Sequence, residues 1–315
     1  MTRRARLLAL SIAISTVSCV FDERSGRDEP LVVRGGRFHP GELPVDDERA
    51  SPRVTAVELS NGVFAASQLD RSIVGRVSDD AVAVGVRFAD VGTGYWVVPA
   101  GGAEPLVPGE LTIEFTVDVG VVEPGLHDLV FVALDVDGAP GPSRVLEVCV
   151  SSPVPDNLNA CDDTRIPPAV VVALTWSQDV DLDLSMRSPS GEVLDARSPT
   201  GAGDEEIDEE VLDDVTVPFF DADSNGGCAI DGRRREHVVF PEAPREDGTW
   251  LVYVDLFDAC GVAGSPFRVE VLRRVSHDDG TYSLAADDVK EGHLFAEQAT
   301  GGAGPPLFVL ATEIP

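Results

Sequence analysis

Short segments in which apolar and polar residues alternate recur along most of the chain, separated by Gly, Pro and Asp. The segment LTIEFTVDV shows the pattern clearly, since Ile113, Phe115 and Val117 fall on one face of a strand and polar residues fall on the other. No window holds an amphipathic helical pattern of a dozen residues. The alternation predicts an all-β fold.

These segments fall into two groups, which predicts two domains. About seven short strands within residues 51–152 are typical of an Ig-like β-sandwich. Candidate strands resume at residue 168, so a second β-sandwich with a jelly-roll-like character is expected over 160–315. Residues 19–50 are polar and lack sustained periodicity, which predicts a flexible tether ahead of the first domain.

The first 18 residues have the pattern of a signal peptide. Arg3, Arg4 and Arg6 form a basic start, and the apolar run Leu7–Val17 follows. A bilayer-spanning helix needs roughly 20 apolar residues, so this run is too short to be one. The pattern predicts export from the cytoplasm.

The residues that end this segment, Thr16-Val17-Ser18-Cys19, resemble a bacterial lipobox. Such a resemblance implies that Cys19 is lipidated and becomes the N-terminus, although Thr16 stands where leucine is usual. The alternative is ordinary cleavage after Ser18 and free secretion. Val20 is not Asp, which by resemblance to Gram-negative sorting favours the outer membrane.

The chain is strongly acidic, with 24 Lys and Arg, 55 Asp and Glu and a net charge of −31. Loss of the three signal-peptide arginines leaves about −34. Nucleic acid and anionic membrane surfaces are therefore poor partners, because they require clustered Lys and Arg. Cations such as Ca²⁺ are favoured, and the alternative is that the acidity only confers solubility.

Five cysteines are present, and four remain if Cys19 carries lipid. An even number in an exported protein predicts disulfides, and four cysteines allow three pairings. Proximity in sequence favours Cys149 with Cys161 and Cys228 with Cys260. The spacing does not match a zinc site.

Two acidic segments are candidate ion sites. On a strand, Asp179, Asp181 and Asp183 would share one face and repel each other unless water or a cation intervened. The segment DADSNG reproduces the first half of a calcium loop. Its candidate ligands are Asp221, Asp223 and Asn225, with Asp231 or Glu236 in place of the acid that is missing at the twelfth position. Ordinary Asx-turn chemistry is the other interpretation.

The second half of the chain resembles the YfaP-like β-sandwich domain of bacterial exported proteins. The matching residues are Trp176, Asp181-Leu182-Asp183-Leu184, Pro189-Ser190-Gly191, the Asp221–Gly226 loop, Glu236 and Gly248-Thr249-Trp250. Ser185 stands where many relatives have His. The resemblance implies a β-sandwich outside the cytoplasm and no established activity.

No motif selects a catalytic nucleophile with its base, so no enzymatic activity is expected. The predicted function is a structural or binding module of the cell envelope, with an envelope or extracellular protein or glycan as partner. The alternative is a carbohydrate-binding or hydrolase-accessory protein, which exposed aromatic residues would favour. Trp176 and Trp250 are expected in the core, and Trp96 beside Tyr95 is also expected to be buried. The basic run Arg233–Arg235 is expected to pair with the acidic loop beside it, or else to contact an anionic partner.

Overall fold

The computed structural model describes residues 26–65, 68–200, 217–244 and 247–314. Nearly all of their regular structure is β-strand, which confirms the all-β fold class. The expected signal peptide and Cys19 lie outside the described residues. Within these ranges, no helix is long and apolar enough to cross a membrane.

The first half of the chain forms a β-sandwich. Its described strands are β1 (Leu31–Arg34), β2 (Arg37–Pro40), β3 (Val54–Glu58), β4 (Val63–Ala65), β5 (Arg71–Ser78), β6 (Ala83–Phe88), β7 (Gly94–Pro99), β8 (Glu110–Val119), β9 (Gly125–Leu134) and β10 (Pro140–Ser151). One sheet has the order β1-β8-β5-β3, and the other has the order β2-β7-β6-β9-β10-β4. The expected alternation is present in β8, where Ile113 and Phe115 are buried and Glu114 is exposed.

The core of this sandwich lies between its two sheets. Phe64, Ile73 and Phe131 are fully buried there, and the indole of Trp96 donates a hydrogen bond to the carbonyl oxygen of Leu31 at 2.6 Å. Trp96 is thus a core residue, and Tyr95 beside it is half-buried and stacks on the ring of His39. Neither residue provides an exposed aromatic platform.

The prediction of a flexible tether over residues 19–50 is wrong for its described part. β1 pairs with β8 and β2 pairs with β7, so both strands belong to the sandwich. Leu31 and Val33 are buried in the core, and Leu43 packs on the outside of the six-stranded sheet. The sequence pattern missed these strands because each has only four residues and glycines separate them.

The second half of the chain forms another β-sandwich. Its described strands are β11 (Val170–Trp176), β12 (Asp181–Arg187), β13 (Val193–Leu194), β14 (Phe219–Phe220), β15 (Arg235–Phe240), β16 (Gly248–Asp258), β17 (Gly264–Ser276), β18 (Tyr282–Phe295) and β19 (Leu307–Ile314). The sheets have the orders β14-β15-β11-β17-β18 and β13-β12-β16-β19. Short 3₁₀ turns occur at Gly226–Cys228 and Ala296–Gln298.

Alternation along the strands builds the core of the second sandwich. Leu182 and Leu184 of β12 and Trp250 of β16 belong to one sheet and share this core with Phe240 of the other sheet, and all four are buried. Trp176 also belongs to this core, as expected. Residues Tyr282–Phe295 form one continuous strand, β18, which pairs with β17 along its length.

Both favoured disulfides are present. Cys149 at the end of β10 is bonded to Cys161, and Cys228 is bonded to Cys260. The segment that carries Cys161 also contacts the second sandwich, because the side-chain amide of Asn159 donates to the carbonyl oxygen of Tyr282 at 3.0 Å. The junction is therefore fixed covalently on one side and by hydrogen bonds on the other.

Candidate metal centre

Strand β12 supplies two carboxylates at the rim of the second sandwich. Leu182 and Leu184 occupy its inward positions, so Asp183 projects from the opposite side and is half-buried. Asp181 begins the strand at an irregularity in its pairing with β16. It is 1% exposed, because the loop that contains Gly227 covers it.

That loop, residues 221–231, contributes a third carboxylate, from Asp223. A Cβ atom on Gly226 would lie 2.7 Å from Oδ1 of Asp223, so the absence of a side chain at Gly226 makes room for this carboxylate. Asn225 holds the loop against β12: its backbone is left-handed, and its amide donates to the carbonyl oxygen of Val180 at 2.9 Å. The Cys228–Cys260 disulfide fixes the far side of the loop.

The two segments together form a compact cluster of negative charge. One carboxylate oxygen from each of Asp181, Asp183 and Asp223 lies within 4.8 Å of the others. Burial, together with the charges of Asp223 and Asp258, raises the pKa of Asp181 to about 6, and the backbone N–H of Gly227 opposes that rise. Burial, together with the charges of Asp181 and Asp223, raises the pKa of Asp183 to about 7. Both shifts express the cost of holding like charges close together away from water.

One oxygen in the cluster is left without a donor. Oδ2 of Asp181 accepts the backbone N–H of Gly227 at 2.7 Å. Oδ1 of the same carboxylate is buried and has no hydrogen-bond partner among the described residues. A buried acceptor left unpaired costs about 1–3 kcal/mol, and more when it is charged. A cation placed among the three carboxylates would remove this cost.

Glu236 of β15 supports the cluster from behind. It is fully buried, and its two oxygens accept the backbone N–H groups of Leu184 at 2.7 Å and Ser224 at 3.1 Å. These bonds fix the loop relative to β12. Burial, together with the charges of Asp183 and Asp223, raises the pKa of Glu236 to about 9. The two N–H donors oppose that rise. A cation in the cluster would lower that pKa by offsetting the neighbouring charges.

The other predicted ligands lie elsewhere. Asp179 precedes β12, so it does not share the face of Asp183, and Nη2 of Arg234 contacts its Oδ1 at 2.6 Å. Oδ2 of Asp221 lies 3.1 Å from Nδ1 of His237. Oδ1 of Asn225 accepts the backbone N–H of Asp231, at 3.1 Å. Of the residues predicted for a calcium loop, only Asp223 therefore joins the cluster.

Asp231 and the basic run have structural roles. Oδ1 of Asp231 accepts the hydroxyl of Ser224 at 2.9 Å, which closes the loop on itself. Arg233 lies 3.8 Å from Asp231, and Arg234 pairs with Asp179. Arg233 thus pairs with the acidic loop, as the first of the two predictions for the basic run has it, whereas the partner of Arg234 lies outside the loop.

Sequence reasoning missed Asp255 of β16. It lies opposite Asp183 in the register of β12 and β16, and its charge contributes to the raised pKa of Asp183. The alternation in TWLVYVDLF does place it on the outward face with Tyr253. The position opposite Asp183, however, depends on strand pairing. A second acidic group, Asp258 with Cys228 and Cys260, is a poor metal site because both sulfurs are in the disulfide.

Comparisons with known proteins leave the family open. No protein-family model matches the chain, and no curated protein matches it. Among solved structures, the fibronectin(III)-like modules of Clostridium thermocellum CbhA are similar at 14% identity, over 79% of this chain and 97% of that chain, with a TM-score of 0.20. A similarity with a TM-score this low supports no conclusion about this chain. The resemblance to YfaP-like domains stays a prediction.

Proposed function

We propose that this protein is a non-enzymatic, lipid-anchored module of the cell envelope whose second sandwich binds one calcium ion at Asp181, Asp183 and Asp223. The observation that carries the calcium site is the carboxylate of Asp181, which is 1% exposed, has one oxygen, Oδ1, without a donor within the described chain, and lies in a cluster with two other carboxylates. A cation bound by this carboxylate offsets its incomplete hydrogen bonding and cancels the mutual repulsion.

The chemistry of the donors favours calcium over other metals. The cluster offers carboxylate oxygens alone, which suit hard cations rather than zinc or copper. Calcium accepts six to eight oxygens in flexible geometry, whereas magnesium requires a near-ideal octahedron. Three carboxylates on a strand and a loop leave some positions for water or a ligand, which calcium tolerates.

The ion would have a structural effect, since it would join β12 to the 221–231 loop. Those segments are otherwise connected by neutral hydrogen bonds such as Asn225 to Val180 and by the contacts of Glu236. If calcium binds only to the native state, it adds about 2.7 kcal/mol to the free energy of unfolding when the free calcium concentration is 100 times the dissociation constant. For a domain of this size, that corresponds to a rise in melting temperature of about 5–10 °C.

A non-enzymatic role is supported by the two histidine–aspartate pairs. His237, paired with Asp221, is 3% exposed. The ring of His127 lies between Asp90 and the carbonyl oxygen of Glu123, and this residue is 8% exposed. Both imidazole rings are buried, although the paired side chains of Asp90 and Asp221 are 53% and 40% exposed, so the histidines are poorly placed to reach a substrate.

Anchoring at the outer membrane rests on the sequence around Cys19. Export from a bacterial host followed by mass spectrometry tests it: we expect an N-terminal peptide that begins with acylated Cys19. Replacement Cys19→Ser should release the protein from the membrane fraction. An unmodified N-terminus at Cys19 in the wild-type protein would contradict lipidation.

Calorimetric titration of the mature protein with calcium, paired with thermal melts in EDTA and in calcium, tests the ion site. We expect saturable binding and a higher melting temperature in calcium. Asp183→Asn should abolish both. The matched control is Asp179→Asn, which changes a nearby aspartate outside the cluster and should leave calcium binding intact. Equal loss in both variants, or no binding by the wild type, would contradict the site.

A further inference from the structure

The carboxylate cluster opens on one side into a cleft. Asp183 belongs to both, and the cleft has a volume of about 150 Å³. Ser185 and Asp255 form its floor on the outward face of the sheet. Arg197 from the turn after β13 and Gly302 from the loop before β19 form its sides. Asp183 therefore connects the cluster to this cleft.

The cleft continues into a second groove of about 390 Å³. The two share Asp255 and Pro306, and the second adds Gln298, Thr300, Leu307 and Phe308. Phe308 is 52% exposed and packs edge-on against Tyr253, at 5.7 Å between ring centroids. The groove thus has hydroxyl, amide and carboxylate groups along its length and an exposed aromatic ring at one end.

Charge limits what this groove can hold. Asp183, Asp195 and Asp255 line the cleft with one cation, Arg197, so an anionic ligand is repelled. Carboxylate, hydroxyl and guanidinium groups pair with neutral hydroxyls as donors or acceptors. An aromatic face packs against an apolar surface. A sugar presents both hydroxyls and an apolar face of C–H groups.

We propose that a neutral oligosaccharide binds along this groove, with hydroxyl oxygens completing the coordination of the calcium ion. This inference rests on the proposed calcium site and gives it a ligand class. The three carboxylates leave coordination positions free on an ion that takes six to eight oxygens. Sugar hydroxyls occupy these coordination positions from the cleft side. Arg197 and Phe308 contact the rest of the oligosaccharide.

The test is calorimetry of the calcium-loaded mature protein with four neutral hexasaccharides, built from glucose, mannose, xylose or N-acetylglucosamine. We expect at least one to bind saturably, and to bind at least about tenfold more weakly in EDTA. Phe308→Ala should weaken that binding by about tenfold while calcium affinity stays unchanged. Arg197→Ala should also weaken it by about tenfold, although loss of this positive charge beside Asp183 should strengthen calcium binding. Arg187→Ala, on the same strand face but outside the groove, is the matched control.

The outcomes separate the two proposals. Calcium binding without binding of any hexasaccharide overturns the sugar inference alone, as does sugar binding that EDTA and both groove variants leave unchanged. Binding of hexalysine but of no hexasaccharide overturns it in favour of a cationic peptide ligand. Failure of calcium to bind overturns the proposed ion site and, with it, ion-dependent sugar binding.

Discussion

The backbone N–H of Gly227 donates a hydrogen bond to Oδ2 of Asp181, at 2.7 Å. The loop therefore provides a hydrogen-bond donor to one of the two oxygens of this carboxylate. The other oxygen, Oδ1, is buried without a donor in the described structure, and the carboxylate as a whole lies in a cluster with those of Asp183 and Asp223. The fold thus holds three carboxylates together at the cost of charge repulsion.

Replacement Asp181→Asn should have opposite effects with and without calcium. In EDTA the variant should be more stable than the wild type by about 1–3 kcal/mol, because one of three repelling charges is gone. In calcium it should show no further stabilisation, because a ligand is lost. Urea unfolding in both conditions measures the two free energies. A variant less stable than wild type in EDTA would show that charge repulsion does not dominate.

Metal-free stability should fall as pH rises from about 4 to about 9. The pKa values of Asp181, Asp183 and Glu236 are raised to about 6, about 7 and about 9, so the folded protein holds protons that the unfolded chain has already released in this range. Unfolding free energy falls with pH wherever the native state binds more protons. Calcium needs deprotonated ligands, so its stabilising effect should grow over the same range. Melts in EDTA and in calcium at several pH values measure both trends.

Asp183→Asn is the control for this pH dependence. It removes the aspartate with the higher pKa, so the decline of metal-free stability above pH 6 should become shallower, and the remaining decline comes from Glu236, whose pKa is about 9. The Asp179→Asn variant should keep the wild-type profile. A metal-free wild type whose stability is constant from pH 4 to pH 7 would contradict the coupling of these carboxylates.

Alternation and cysteine spacing were sufficient to predict the architecture and both disulfides. In β8 and β12, apolar residues two apart point into a core, and this period can be read without knowing any partner strand. The same period placed Asp181 and Asp183 close together. It wrongly included Asp179, because the sequence does not show that the strand begins at Asp181 or that Arg234 pairs with Asp179.

What the sequence could not provide depends on contacts between distant segments. Asp223 reaches Asp181 only because the Asp221–Asp231 loop folds over the start of β12. Asp255 lies opposite Asp183 only through the register of β12 and β16. β1 was missed because its four residues resemble a polar linker until Val33 is seen in the core.

Loss of the Cys228–Cys260 disulfide should lower calcium affinity as well as stability. The bond is adjacent to Gly227, which donates to Asp181, and it holds the loop that carries Asp223. The double variant Cys228→Ser/Cys260→Ser should lose about 3 kcal/mol of unfolding free energy and bind calcium at least about tenfold more weakly. Calorimetry and urea unfolding measure the two effects.

The other disulfide is the matched control. Cys149→Ser/Cys161→Ser removes a bond at the junction, away from the acidic cluster, and should reduce stability while leaving calcium affinity unchanged. If both double variants lost calcium affinity equally, the effect would be a general loss of folding. If neither lost it, the loop would keep its shape without its disulfide.

A chain that starts at residue 41 should have a destabilised first sandwich, whereas a chain that starts at residue 26 should match the mature protein. The shorter chain lacks Leu31 and Val33, and burial of each contributes about 1.5–3 kcal/mol. It also leaves the buried indole N–H of Trp96 without its acceptor on Leu31. Tryptophan fluorescence and calorimetric melting should show a lower transition for this sandwich. Identical melts of the two chains would mean that residues 26–40 act as the tether their composition suggests.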